Sequence, residues 1–235
     1  MEKLPRPIPT WCPGCDNYLV LVALRQALQK IKIAPKDTVV CFDIGCAGNM
    51  NGLLDVCSVE TLHGRSIPVA SGIKAVREDL TVIAQAGDGG LLNEGLNHFV
   101  HACRRDDDIT VLVNNSLVFS LTAGQRSSAT PQGALSRADQ GGAQNKPLSV
   151  IDLAAISGAT FISRIEASDP SGLQAMIEKA IRHHGFSVIE IIEPCKIWAK
   201  KFTQQKYKLI KQPFRQPSEL IGKQFVTGLL YEQKR

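Results

Sequence analysis

Residues 81–116 read TVIAQAGDGGLLNEGLNHFVHACRRDDDITVLVNNS, and this stretch decides the fold. The strand-like run 81–86 is broken by Gly87, Asp88, Gly89 and Gly90. Helical periodicity then runs over 91–103 and ends in Arg104 and Arg105, where positive charge suits a helix C-terminus. A second apolar run, ITVLV at 109–113, stops at Asn114, Asn115 and Ser116. The rhythm extends outward on both sides. Upstream, 19–31 is amphipathic, with Leu21, Leu24, Leu28 and Ile31 at helical spacing; 38–44 is a β-branched apolar run ending at Gly45, and 66–76 reads as a second helix. Downstream come a helix at 149–157, a strand at 159–165, a helix at 170–184 and a strand at 186–192. Continuously apolar strands alternating with helices predict an α/β fold whose mostly parallel sheet is covered by helices on both faces. No internal repeat or interior domain boundary is visible. The stretch 122–147, rich in Thr, Ala, Gly, Gln and Ser, has no strong period, and a segment so long reads as a functional or partner-covered loop.

The 235 residues suit one large α/β domain, and the 44% apolar content excludes a disordered or collagenous chain. No run of about eighteen uncharged apolar residues occurs, so no membrane span is expected. The opening MEKLPRPIPTW has no apolar h-region, so no secretory signal is expected, and the cytoplasm is the expected compartment. Seven cysteines, an odd number, argue against a disulfide framework and for metal or cluster ligation or plain buried thiols. The charge is uneven: residues 196–235 carry ten Lys/Arg and two Glu, +8 against −3 for the rest. The expected organisation is therefore a domain over 1–195 and a basic C-terminal extension over 196–235, a subunit contact or a solvated arm. Thin aromatic interleaving and the lack of a recognition motif argue against nucleic acid.

In parallel sheets, ligands bind beyond the carboxyl ends of the strands. Three strand ends carry unusual residues: Gly45 and Cys46, Gly87 to Gly90, and Asn114 to Ser116. Glycines admit a ligand closely, and a following helix offers free N–H groups to a phosphate. Asp88 beside phosphates would repel them, and a divalent ion between the two resolves the conflict; Mg²⁺ takes one or two protein oxygens plus phosphate oxygens. Asn115 or Ser116 would supply the second oxygen. Each segment alone also reads as a tight turn. Cys12 and Cys15 form CPGC, with Cys46 and Cys195 far along the chain, a spacing open to a zinc knuckle, a redox pair or an iron–sulfur cluster. Cys41, Cys57 and Cys103 lie in apolar contexts and are expected as core thiols.

A Gly-Asp-Gly followed, across one helix and onto the next strand, by Asn is the pattern of thiamine diphosphate enzymes. The match widens with WCPGC (11–15), DIGCAGNM (43–50), ETLHGRSIPVASGIK (60–74), AGDGG (86–90), NHFVHACRRDDDITVLV (97–113), LTAGQRSSATPQGA (121–134) and EPC (193–195). In this order the chain resembles the β subunit of 2-oxoacid:ferredoxin oxidoreductases, the pyruvate and 2-oxoglutarate synthase group. The resemblance implies the thiamine diphosphate-binding fold and a 4Fe–4S cluster on Cys12, Cys15, Cys46 and Cys195. It places Ile44, Gly45, Cys46 and Ala47 against both cofactor and cluster, and His63 near the diphosphate. Asp88 matches the Mg²⁺ carboxylate, while Gly87, Gly89 and Gly90 match the diphosphate-binding turn. Where the family reads Asn-x-x-Tyr-x-x-Thr, Phe119 and Thr122 anchor the alignment, so Ser116 stands at the asparagine. The Val118 carbonyl is then the next Mg²⁺ ligand, and Ser120 and Leu121 line the cofactor. Asp16 replaces the glycine that usually follows the second cluster cysteine.

The activity implied is CoA-dependent oxidative decarboxylation of a 2-oxo acid, pyruvate or 2-oxoglutarate, with electrons passing through the cluster to ferredoxin. The activating glutamate is expected on a separate α subunit, so no catalytic residue is assigned to this chain. The loop over 122–145 and the basic tail are the expected α contacts. The rival reading is a non-catalytic iron–sulfur or zinc-stabilised module that keeps the thiamine fold, a reading favoured by Ser116. A cluster-free decarboxylase of the acetolactate synthase type is disfavoured by the four cysteines and the short length.

Overall fold

The computed structural model describes residues 7–136, 141–202 and 206–233. Residues 137–140 of the expected partner loop, and 203–205, 234 and 235 of the expected tail, lie outside the described residues. In chain order the elements are α1 (Asn17–Ile31), β1 (Thr38–Phe42), β2 (Cys57–Glu60), α2 (Ser66–Val76), β3 (Thr81–Gly87), α3 (Leu96–Arg105), β4 (Thr110–Asn115), β5 (Val118–Phe119) and β6 (Gln125–Arg126). Then follow α4 (Val150–Ser157), β7 (Phe161–Glu166), α5 (Pro170–Arg182), β8 (Ser187–Ile192), β9 (Lys208–Leu209) and β10 (Val226–Glu232).

Eight strands form one sheet in the order β2-β1-β3-β4-β8-β7-β10-β9, with β5 and β6 as a separate small hairpin. The six strands from β2 to β7 pair in parallel; β10 runs antiparallel to β7. Side chains alternate between two cores, which explains the unbroken apolar runs. Val82, Ala84, Val111, Val113 and Val188 pack towards Ile67, Phe99 and Ile151 of α2, α3 and α4. Val40, Ile83, Leu112 and Ile189 pack on the other face towards Leu24 of α1 and Leu173 and Ile177 of α5. Each fully buried side chain of this size stabilises the fold by about 1.5–3 kcal/mol, so two filled faces account for a sheet that needs no disulfide. Ser149 caps α4 by accepting from the Asp152 N–H, and Asp169 caps α5 just before Pro170, so both helices start where their side chains satisfy unpaired donors.

The α/β architecture with a mostly parallel, doubly covered sheet is as expected, and four differences are informative. The run 38–44 ends as a strand at Phe42, because Asp43 turns its carboxylate back to accept from the N–H groups of Ile44 and Gly64. The helix expected over 91–103 is divided into a wide π turn, Gly90–Glu94, and α3. Cys57 is corrected: it is exposed on the edge strand β2, whereas Cys41 and Cys103 are buried core thiols. Packing also places no boundary at 195/196. Strand β10 extends the sheet, and Leu220 and Leu230 are fully buried in the α2–α4 core. Arg164 of β7, itself buried, donates to the Gln224 carbonyl (2.7 Å) and to Glu190 Oε2 (2.7 Å), tying this segment to β8. Among the described residues, no helix is long and apolar enough to cross a membrane.

Candidate cofactor and cysteine sites

Strands β1, β3, β4 and β8 are neighbours that run the same way, so the residues past their carboxyl ends meet on one rim. Asp43 follows β1, Asp88 follows β3, Ser116 follows β4 and Glu193 follows β8. A cavity of about 300 Å³ opens among Asp88, Ser116 and Glu193. Ile44, Gly45, Cys46 and Ala47 line it from β1, His63 from the loop before α2, and Gly87, Asp88, Gly89 and Gly90 from β3. Ser116, Val118, Ser120 and Leu121 close it from the segment after β4. Two glycines here leave no room for a side chain: a Cβ on Gly90 would stand 1.8 Å from Asp43 Oδ2, and one on Gly89 would stand 2.5 Å from the Phe119 ring. The backbone of the turn is thereby pressed against both walls.

Oxygen atoms crowd the floor. Asp88 Oδ1 accepts from both the N–H and the Oγ of Ser116, each at 3.0 Å. Ser116 Oγ also lies 2.9 Å from the Val118 carbonyl and 3.0 Å from Ser120 Oγ. A hydroxyl has one proton, so Ser116 cannot donate to Asp88 and Val118 at once, and lone pairs are left facing each other. Such a surplus of acceptors suits a hard cation with oxygen ligands. Burial pushes the Asp88 carboxyl up to about 6, against hydrogen bonds from Ser127 and Ser116 that hold it down.

Asn115 is corrected as a source of the metal oxygen. Its Nδ2 donates to Glu190 Oε1 at 2.7 Å and its Oδ1 accepts from the Leu117 N–H, so both ends of the amide are used away from the cavity. Asn114, one step back along the strand, faces the cavity instead, accepting from Gln85 Nε2 at 2.9 Å. Three groups were not singled out from the sequence. Glu94 lines the cavity with Oε2 3.9 Å from His63 Nδ1. Glu193 is buried with Oε2 lacking a partner, and burial raises its carboxyl to about 8. Ser127 hydrogen-bonds Asp88 from within the long loop.

A second cavity, about 320 Å³, adjoins the first and is lined by Cys12, Cys15, Cys46 and Cys195 together. The CPGC turn is closed by Cys15 N–H to the Cys12 carbonyl at 3.1 Å. Trp11 Nε1 anchors that turn to the Cys46 carbonyl at 2.7 Å, and the Cys195 N–H bonds the Ser116 carbonyl at 3.0 Å. N–H groups of Asn17 and Trp198 point at the sulfurs of Cys15 and Cys195, each at 3.5 Å. Burial first, then Cys15, Cys195, Glu193 and Cys12, push the Cys46 thiol up to about 12. The other three thiols thus bear on Cys46 across one hollow. Among the described residues, no three His, Cys, Asp or Glu side chains converge as a metal site, and what the four cysteines share is the lining of this cavity. Cys46, Ser116, Ser120, Leu121 and Glu193 are walls of both cavities.

Comparison with known proteins places the chain first in a class. The family described as "Thiamine pyrophosphate enzyme, C-terminal TPP binding domain" matches residues 43–191, the span that holds the rim. The chain is 37% identical over 209 residues to a 2-oxoglutarate synthase subunit KorB of Archaeoglobus fulgidus, covering 88% of this chain and 78% of that one. It is 39% identical over 199 residues to a 2-oxoacid:ferredoxin oxidoreductase subunit beta of Saccharolobus solfataricus, covering 84% of this chain and 65% of that one. A solved structure of 2-oxoglutarate:ferredoxin oxidoreductase from Magnetococcus marinus, with 2-oxoglutarate, coenzyme A and succinyl-CoA bound, superposes with a TM-score of 0.92 at 26% identity, covering 98% of this chain and 84% of that chain. The chain belongs to the β-subunit family of the 2-oxoacid:ferredoxin oxidoreductases, a family of oxidoreductases.

Proposed function

We propose that this chain is the cofactor-carrying subunit of a CoA-dependent 2-oxoacid:ferredoxin oxidoreductase that acts with a separate α subunit on pyruvate or 2-oxoglutarate. The observation that carries the reading is the shared wall: a floor of acceptor oxygens around Asp88 and a hollow ringed by four cysteines meet at Cys46. Asp88 Oδ1, Ser116 Oγ and the Val118 carbonyl would hold Mg²⁺, and the backbone of Gly87, Gly89 and Gly90 would receive the diphosphate. Ile44, Gly45, Ala47, His63, Ser120 and Leu121 would bound the rest of thiamine diphosphate. Cys12, Cys15, Cys46 and Cys195, which line one cavity, would hold a 4Fe–4S cluster through their thiolates. When bound, thiamine diphosphate supplies the electron sink for decarboxylation, and the cluster accepts single electrons.

The chain's own part is to orient and exclude. Phe119 presses on Gly89 and fixes the turn that faces the diphosphate. Trp11 and Trp198 line the cysteine hollow, and the N–H groups at Cys15 and Cys195 would stabilise thiolate charge. The activating glutamate is assigned to the α subunit, with coenzyme A as acyl acceptor and ferredoxin as electron carrier. Oxygen-sensitive thiolate ligation suits the reducing cytoplasm.

The test is anoxic co-expression with the neighbouring α chain, followed by viologen reduction across a panel of 2-oxo acids with coenzyme A. The expected result is a brown protein whose dye reduction needs both the oxo acid and coenzyme A. A colourless protein with stoichiometric zinc would select the non-catalytic module, and full turnover by the single polypeptide would refute the shared site.

A further inference from the structure

The long loop after β6 reaches the centre of the cofactor floor. Ser127 is 93% buried, being 7% exposed, and its hydroxyl donates to Asp88 Oδ2, the carboxylate oxygen that Ser116 does not hold. Ser127 Oγ in turn accepts from the Ala129 N–H at 3.2 Å, which uses a lone pair and leaves the single hydroxyl proton for Asp88. Three residues beyond Ser127, Thr130 Oγ1 accepts from the Ser127 N–H at 2.9 Å and donates to the Leu117 carbonyl at 2.6 Å. Leu117 sits between the two other metal-facing groups, Ser116 and Val118, with a left-handed backbone (φ +68°) that needs holding. One turn of loop therefore clasps both halves of the oxygen floor, which come from different strands. At its edge the Ser128 N–H bonds Asn93 Oδ1 at 2.8 Å, fixing the turn to the segment that follows Gly90.

From this juxtaposition we infer that Ser127, with Thr130 behind it, is the positioning residue of the metal–diphosphate site, holding Asp88 so that Oδ1 faces Ser116 and Val118. The inference rests on the cofactor reading above and deepens it. Ser116 and Ser120 have short arms and cannot follow a carboxylate that swings, so a floor built from hydroxyls depends on a fixed Asp88. Metal affinity is then a property of the 122–147 loop as much as of the strand ends, and whatever docks on that loop acts on the metal site through one hydroxyl.

The experiment uses the αβ complex, stripped of thiamine diphosphate and divalent ions by chelation. Mn²⁺ binding at saturating thiamine diphosphate is followed by loss of the free-ion paramagnetic resonance signal, and Mg²⁺ binding by calorimetry. Ser127→Ala should weaken both by roughly 10- to 100-fold, the range for loss of a group that orients a metal ligand. Ser127→Thr, which keeps the hydroxyl, should recover most of that loss, whereas a purely structural role would leave ion affinity unmoved in both. Should Ser127→Ala fail to assemble, Thr130→Val carries the same test, because it unties the loop from Leu117 and leaves the Ser127 hydroxyl in place. Parent-like ion affinity in the folded variant overturns the inference alone. A parent complex that binds no Mn²⁺ with thiamine diphosphate overturns the cofactor reading and this inference together.

Discussion

The two ends of the central sheet are built on opposite principles. At the amino ends of β3, β4 and β8 the acids are matched: Lys74 donates to Asp108 and to the carbonyls of Glu78 and Leu80 at 2.8–2.9 Å, and Asp108 also accepts from the Gly185 N–H. Asp106 accepts from Thr160 Oγ1 and the Phe186 N–H, both at 2.7 Å. Burial works against the Asp108 carboxylate, yet the Gly185 N–H and Lys74 prevail and hold it below its usual range. At the carboxyl ends, Asp43, Asp88 and Glu193 are buried, and burial raises all three. Among the described residues, Asp43 Oδ2 and Glu193 Oε2 have no hydrogen-bond partner. A hollow of about 620 Å³ at the matched end exceeds either cavity on the rim, so size does not locate chemistry here; unmet charge does.

Four substitutions test that contrast, from the largest effect downward. Asp88→Asn keeps the shape and removes the charge. Cofactor affinity of the αβ complex should fall by at least about 100-fold and dye reduction should vanish, while the melting temperature without cofactor stays level or rises, since a buried carboxylate lacking a basic partner is gone. A melting temperature that instead drops by several degrees would mean the rim is built for stability as well. Lys74→Met probes the other end: urea unfolding should show a loss of about 1–2 kcal/mol, because Asp108 keeps the Gly185 N–H but loses its cation, and the Glu78 and Leu80 carbonyls lose a donor at a partly solvated site, with thiamine diphosphate affinity unchanged. Because Asp108 has a lowered folded pKa, its stabilisation is present above the ordinary carboxylate range and is lost as pH falls through and below it. Asp108→Asn should therefore lower stability at neutral pH and flatten its acid decline, read from unfolding curves at a series of pH values. The smallest effect belongs to Cys57→Ser on the exposed edge strand, which should stay within about 0.5 kcal/mol and leave cluster content intact; lost iron would put Cys57 among the ligands.

How much of this was readable in the chain follows from which signals are local. The strands with two buried faces announced themselves as apolar runs, and the cysteine and glycine motifs marked their own strand ends. Strand β2 did not, because its burial is nearly all solvent-side and no apolar alternation results. Strand β10 was hidden by the lysines and prolines that precede it, although Thr227, Gly228 and Leu230 are buried. The choice between Asn115 and Ser116 was open in composition but closed by pleat: residues 114 and 116 share one side of the strand, and 115 points to Glu190 on the other. Ser127 had no such signature. Its position beside Asp88 is set by loop closure across 39 residues, which no short-range pattern encodes.

The antiparallel strand at the chain's far end carries a practical consequence. Cutting the polypeptide after Cys195 would not trim an appendage. It would strip β7 of its neighbour and open a hydrogen-bonding ladder to the solvent, while Arg164 would lose the carbonyls that neutralise its reach towards Glu190. A shortened protein of this kind is a template for self-association, so tags and fusions belong beyond the final strand rather than in place of it.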